Sequence, residues 1–99
     1  MGVDVRPLSE LLETLSGLDP DDAIFIASAA DVRADTPSVL GVATESPPHG
    51  YRYLLEVHIT QEVLEVWSAW RGGRKPTLDE KLEAVDHYSR TDAYLPVKA

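Results

Sequence analysis

At 99 residues, 43% hydrophobic and 26% charged, the chain has room for a single small domain spanning residues 1–99, with the composition of an ordinary soluble globular protein. It contains no cysteine, which excludes disulfides, thiol catalysis and cysteine zinc sites and fits a reducing cytoplasm, the expected location. Seventeen acids against nine bases leave a net charge of −8, which repels nucleic-acid phosphates and anionic membranes and steers the chain toward basic protein surfaces.

No run of about 18 apolar residues occurs, so no membrane span is expected. The opening MGVDVRPLSE lacks a cationic start followed by an apolar block, so no secretory signal is expected. Gly2 begins a myristoylation pattern that Arg6 breaks, because that position requires Ser or Thr.

Pro7 opens the first predicted helix, where its missing N–H is no loss, and Leu8, Leu11, Leu12, Leu15 and Leu18 fall on one helical stripe that stops at Gly17. Asp19-Pro20-Asp21-Asp22 is a turn. Ala23–Ser28 is apolar at nearly every position and predicts a central strand covered on both faces. A polar loop, Asp31–Pro37, leads to a second strand, Ser38–Thr44, in which Gly41 marks a bulge or a close backbone approach. The connection Glu45–Gly50 is stiffened by two prolines.

Tyr51–Ile59 alternates, with Tyr51, Tyr53, Leu55, Val57 and Ile59 predicted to face the core and Arg52, Leu54, Glu56 and His58 to face away. Thr60 is the predicted cap of a helix whose buried stripe holds Val63, Val66, Trp67 and Trp70. Arg71-Gly72-Gly73 ends it. Thr77 and Glu80 form a capping box that starts a third helix, with Leu78, Leu82, Val85 and Tyr88 on its apolar face. Thr91–Val97 reads as a short final strand, ended or held at an edge by Pro96. The order α-β-β-β-α-α-β, with short loops between strands, predicts an α+β fold: a mainly antiparallel four-stranded sheet with helices packed on one face.

The sharpest surface feature is on the third helix. At 100° per residue Asp79, Glu80, Glu83 and Asp86 share one arc, with His87 inside it, opposite Leu78, Leu82 and Val85. Like charges at i,i+3 and i,i+4 oppose helix formation, and Asp86 meets the unfavourable end of the helix dipole. The arc therefore suits a cationic partner better than it suits the helix, although charge runs are commonly just a solvated face. Asp19, Asp21 and Asp22 form a second acidic group.

Arg71, Arg74 and Lys75 make a basic cluster beside two glycines, but it follows a helix, lacks GxxxxGK[ST], and reads as C-terminal capping. His49, His58 and His87 form no metal-ligand spacing, so no metal and no cofactor are expected. Glu56 and His58 share one strand face and could act as an acid–base pair given a pocket beside Tyr53. Neither GxSxG nor GxGxxG occurs. Trp67 and Trp70, on the apolar face, read as core rather than as a stacking platform.

Three stretches carry a resemblance: Leu18-Asp19-Pro20-Asp21-Asp22-Ala23, a turn entering an apolar strand; Val57–Val63, a strand running into a helix; and Ala84, His87-Tyr88 and Asp92-Ala93-Tyr94 at the tail. Together they resemble a family of short bacterial proteins of unknown function, with His87 replacing one aromatic and Tyr94 replacing a phenylalanine of its tail pattern. The resemblance lends no catalytic residue. It implies an immunity-type role, since small proteins of this kind can sit beside toxin genes.

The function expected is therefore non-enzymatic: a small acidic inhibitor or immunity-type module that binds a basic protein, such as a nuclease toxin or a nucleic-acid-binding effector. Asp79, Glu80, Glu83, Asp86, Asp19, Asp21 and Asp22 would be its partner-binding residues, with neither nucleic acid nor membrane contacted directly. Two alternatives stand beside it: a small-ligand or enzymatic domain with a cleft near His58 and Glu56, and a self-associating structural subunit marked by exposed Tyr or Trp.

Overall fold

The computed structural model describes residues 4–97; the Gly2 pattern lies outside the described residues. A two-residue strand β1 (Arg6–Pro7) leads into helix α1 (Leu8–Glu13) and a 3₁₀ turn (Leu15–Gly17). Strands β2 (Asp22–Ala27), β3 (Pro37–Val42) and β4 (Tyr51–Glu56) follow, then helices α2 (Val57–Ala69) and α3 (Leu78–Thr91). The sheet is four-stranded in the order β1-β3-β2-β4, and every pairing is antiparallel. The α+β class and the antiparallel sheet agree with the sequence reading. The fourth strand, however, comes from Arg6–Pro7 and not from Thr91–Val97.

The leucine stripe explains the first helix. Leu8, Leu11, Leu12 and Leu15 are all buried, and they join Ile24, Ile26, Leu54, Leu55, Val57, Leu82 and Val85 in the main core. That cluster lies on one face of the sheet, beneath all three helices. The first N–H groups of α1 have no partner within the helix, so the loop before β3 supplies one. Leu8 N donates to Thr36 O at 2.8 Å and Ser9 N to Ala34 O at 2.9 Å. Thr36 is buried and ties its own loop, accepting from Arg33 N and donating to Asp31 O. Ser38 Oγ donates to Arg6 O at 2.7 Å, which holds β1 on β3.

Two corrections concern β4. Ile24 pairs with Leu55 and Phe25 with Tyr53, so Leu54 is an extra residue in the strand. This bulge turns both Leu54 and Leu55 into the core and reverses the alternation before them. Tyr53 therefore faces the side opposite the helices, 43% exposed, and meets Phe25 edge-on at 6.2 Å between ring centroids. Phe25, Ala23 and Val39 are buried there with Tyr51 and Ala43 packed around them. Gly41 fulfils its expectation, because a Cβ there would stand 3.0 Å from Phe25 Cε2.

The strand also ends sooner than the alternation predicts. Helix begins at Val57, and Thr60 lies inside it, donating to Glu56 O at 2.9 Å instead of capping. Val57, Thr60, Val63 and Trp67 are the buried face of α2, whereas Trp70 is its C-cap and is 52% exposed, contrary to the expectation that both tryptophans are core. Gly72 and Gly73, at φ 70° and 84°, turn the chain in a left-handed conformation that favours glycine, and Gly73 N caps Ser68 O at 2.8 Å. The capping box of α3 forms as expected, with Thr77 Oγ1 accepting from Glu80 N and Glu80 Oε1 accepting from Thr77 N.

After Asp92, which is left-handed at φ 61°, residues 93–97 form a strap without regular secondary structure and join no sheet. Arg71 holds the strap, its Nη2 donating to Leu95 O and Pro96 O. Tyr94 Oη donates to Glu62 Oε1 at 2.8 Å, and its ring packs on Trp70 and Tyr88. Leu95 covers the cluster of Val63, Trp67 and Ala84. Among the described residues no helix is long and apolar enough to cross a membrane.

Candidate functional site: the outer face of the third helix

Leu82, Ala84 and Val85 turn the inner side of α3 to the core, and Asp79, Glu83 and His87 consequently lie outward. The four acidic residues of the arc are not equivalent. Glu80 is committed to structure. It serves the capping box and receives both guanidinium nitrogens of Arg74, at 3.0 and 2.9 Å. The Arg74 guanidinium, followed by the Thr77 backbone N–H, holds its carboxyl down at about 2. Asp86 receives Arg90 one turn on, at 3.1 and 2.8 Å. The unfavourable helix-end position of Asp86 is thus answered by a paired cation in the last turn. Of the four acids of the arc, Asp79 and Glu83 are exposed, whereas Glu80 and Asp86 are partly buried.

A groove of about 310 Å³ runs between α3 and the Asp31–Thr36 loop, with Asp79, Glu83 and Asp86 on one wall and Val32, Arg33 and Ala34 on the other. The loop is held there by the hydrogen bonds of Thr36 and by its carbonyls on α1. The hydrogen bonds that Arg90 donates to Asp86 are the main cause of its raised pKa, and the loop adds Asp31, whose charge contributes to it. The sequence reading treated this stretch as a bare polar loop. The available signal was Thr36, which at the end of a turn bonds backbone groups three and five residues back.

Asp19, Asp21 and Asp22 stand apart from the arc. They lead into β2, whereas the groove loop follows it, about 17 Å further along by five rises of about 3.4 Å. Asp19 Oδ1 accepts from Asp21 N at 2.9 Å, so part of this acidic group is turn chemistry.

The basic cluster is absorbed by structure. Arg71 donates to Trp67 O and to the strap, and its guanidinium carbon lies 4.4 Å from the centroid of the Trp67 ring. Arg74 is 4.7 Å from the same centroid while it binds Glu80. Glu56 and His58 do approach, Oε2 to Nδ1 at 3.3 Å, but His58 Nδ1 is also 3.1 Å from Pro20 O and its backbone N–H donates to the same carbonyl. The pair thus ties the start of α2 to the turn before β2. Burial, reinforced by the Glu56 charge, raises the Tyr53 hydroxyl pKa. No group of three or more histidine, aspartate or glutamate side chains among the described residues is arranged to hold a metal ion. Searched against family models, curated proteins and solved structures, the chain matches none of them.

Proposed function

We propose that this protein is a small acidic binding module that docks on a basic protein through the outer face of α3, in the manner of an inhibitor or immunity protein. The observation that carries the reading is the groove in which Asp79, Glu83 and Asp86 share one wall on a helix anchored to the core by Leu82 and Val85. Carboxylates on a rigid element are held in place before a partner arrives, which limits the ordering cost of binding. The net charge of −8 supplies the long-range attraction. Asp79 and Glu83 are the exposed acids of the arc, and the steering falls chiefly to them, while Asp86 is paired with Arg90 and Glu80 with Arg74. Asp19, Asp21 and Asp22 add to the overall field from a separate surface.

The test is a pair of baits, the wild-type chain and Glu83→Lys/Asp86→Lys, exposed side by side to lysate of the native cell. The wild-type bait retains a basic protein and the reversed bait, still folded by circular dichroism, loses it. Equal retention by the two baits overturns the assignment to α3.

A further inference from the structure

A second groove differs in chemistry from the one beside α3. A groove of about 550 Å³, within the range of ligand sites, opens where the Leu15–Gly17 turn meets α2. Its floor is apolar: Leu12 and Leu15 are buried and Leu64 is half-buried between two parts of the core. Its α2 wall is a single helical stripe, Gln61, Leu64, Glu65 and Ser68, about 10 Å long at a rise of about 1.5 Å per residue. Gln61 Nε2 donates to Leu15 O at 3.0 Å and locks the walls together at one end.

The rim is acidic on both sides. Glu13 stands on the α1 wall and Glu65 on the α2 wall, and the cation that reaches the groove, Lys81, already lies 3.7 Å from Glu13. Two carboxylates against one ammonium leave the rim negative, on a chain whose total charge is −8. An anionic occupant would be repelled from both walls. An occupant with an apolar side chain for the floor and cations for the rim is complementary throughout.

We infer that this groove takes the apolar anchor of a basic protein segment, a large aliphatic or aromatic side chain flanked by lysine or arginine. The inference rests on the reading of the chain as a binder of basic proteins and adds to it. The α3 face attracts the partner through long-range charge. The groove supplies a desolvated contact, and such contacts set how long a complex lasts.

The experiment is an NMR titration of the full chain at low ionic strength with three short synthetic amidated helical peptides, one of leucine and lysine, one of serine and lysine with the same charge, and one of leucine and glutamate. The leucine–lysine peptide binds at least about tenfold more tightly than either control, as expected when one large apolar side chain loses its burial. It shifts backbone amides of Leu12–Ser16 and Gln61–Ser68. Leu64→Asn weakens it about tenfold. Glu65→Lys, a change at an exposed position, weakens it too and covers the case in which the Leu64 variant fails to fold. Absence of binding, equal binding of the serine–lysine or leucine–glutamate peptide, or no response to either substitution overturns the groove. If the groove variants bind the peptide unchanged while Glu83→Lys/Asp86→Lys does not, the groove fails and the α3 reading stands. If the groove variants lose the peptide while the α3 reversal leaves partner capture intact, the α3 reading fails and the groove stands.

Discussion

The helix-free face of the sheet gives a quantitative test of the packing through Gly41 and Phe25. Phe25 is 2% exposed although no helix covers it, because its ring lies over Gly41 and is held from the side by Tyr53, edge-on at 6.2 Å. A Cβ at residue 41 would stand 3.0 Å from Phe25 Cε2, closer than carbon atoms rest at contact. Alanine should favour the strand by about 0.5–1 kcal/mol, since glycine loses more backbone freedom on folding. Overpacking typically costs about 1–3 kcal/mol, and Val39 and Tyr53 leave the ring little room to slide. Gly41→Ala should therefore destabilise by about 1 kcal/mol net, lowering the melting temperature by about 4–8 °C in a domain of this size. With Phe25→Leu in place the obstructing ring atom is gone, and the same substitution should become neutral or stabilising by about 0.5 kcal/mol. Urea denaturation of the four chains in the cycle reads a coupling of about 1.5 kcal/mol. Additive effects within about 0.3 kcal/mol would show that the ring does not lie on residue 41.

Other expectations follow from single contacts. Arg71→Met removes the donors to Leu95 O and Pro96 O while keeping apolar cover for Trp67. Stability falls by about 1 kcal/mol and amide exchange quickens at Ala93, Tyr94, Leu95 and Val97; unchanged exchange there would mean that the strap holds without the clamp. Thr77→Ala removes the capping-box acceptor of Glu80 N and costs about 1 kcal/mol by denaturation, and a loss near zero would deny the cap its role. The Glu80 carboxyl lies below its ordinary value of 4.5, at about 2 in the fold, so its contribution is fully present above about 4.5 and is lost as pH falls toward 2. Glu80→Gln should flatten the acid limb of a stability–pH profile in that window, and an unaltered limb would show that Arg74 does not hold the carboxylate.

What could be read in advance divides by range. The leucine stripe and the Thr77/Glu80 capping box are local patterns with local causes; the box forms as read, whereas the stripe is helical only over Leu8–Glu13 and continues as a 3₁₀ turn at Leu15–Gly17 instead of one helix to Gly17. The Asp86–Arg90 pair is also local, at i,i+4, and is legible from spacing alone. Arg74–Glu80 is not, because it bridges a turn whose shape depends on Gly72 and Gly73. The bulge at Leu54 defeats strict alternation, since it depends on the pairing with Ile24 and Phe25 across the sheet. Val57-His58-Ile59 has the composition of a strand. It is helical because the periodicity of Val57, Thr60 and Val63 buries one face and because Pro20 O receives His58 N. The strand β1 has two residues and so carries no period at all. The final segment has strand-like residues, but the Arg71 clamp and the Tyr94 hydroxyl on Glu62 keep it on α2. Of the acidic residues named from sequence, helical periodicity located the α3 arc. It could not reveal that Arg74 reaches Glu80 across the turn, that a loop faces the arc, or that Asp19, Asp21 and Asp22 lie beyond the other end of β2.

The central claim, that charge complementarity joins this chain to a basic protein, is tested most directly by capture on the tagged wild-type chain from native lysate at low and at high salt, with the retained proteins identified by mass spectrometry. The account predicts one basic protein held at low salt and released at high salt, because screening shortens the reach of exposed charges. Retention of nothing but the chain itself, or of a partner indifferent to salt, would contradict it.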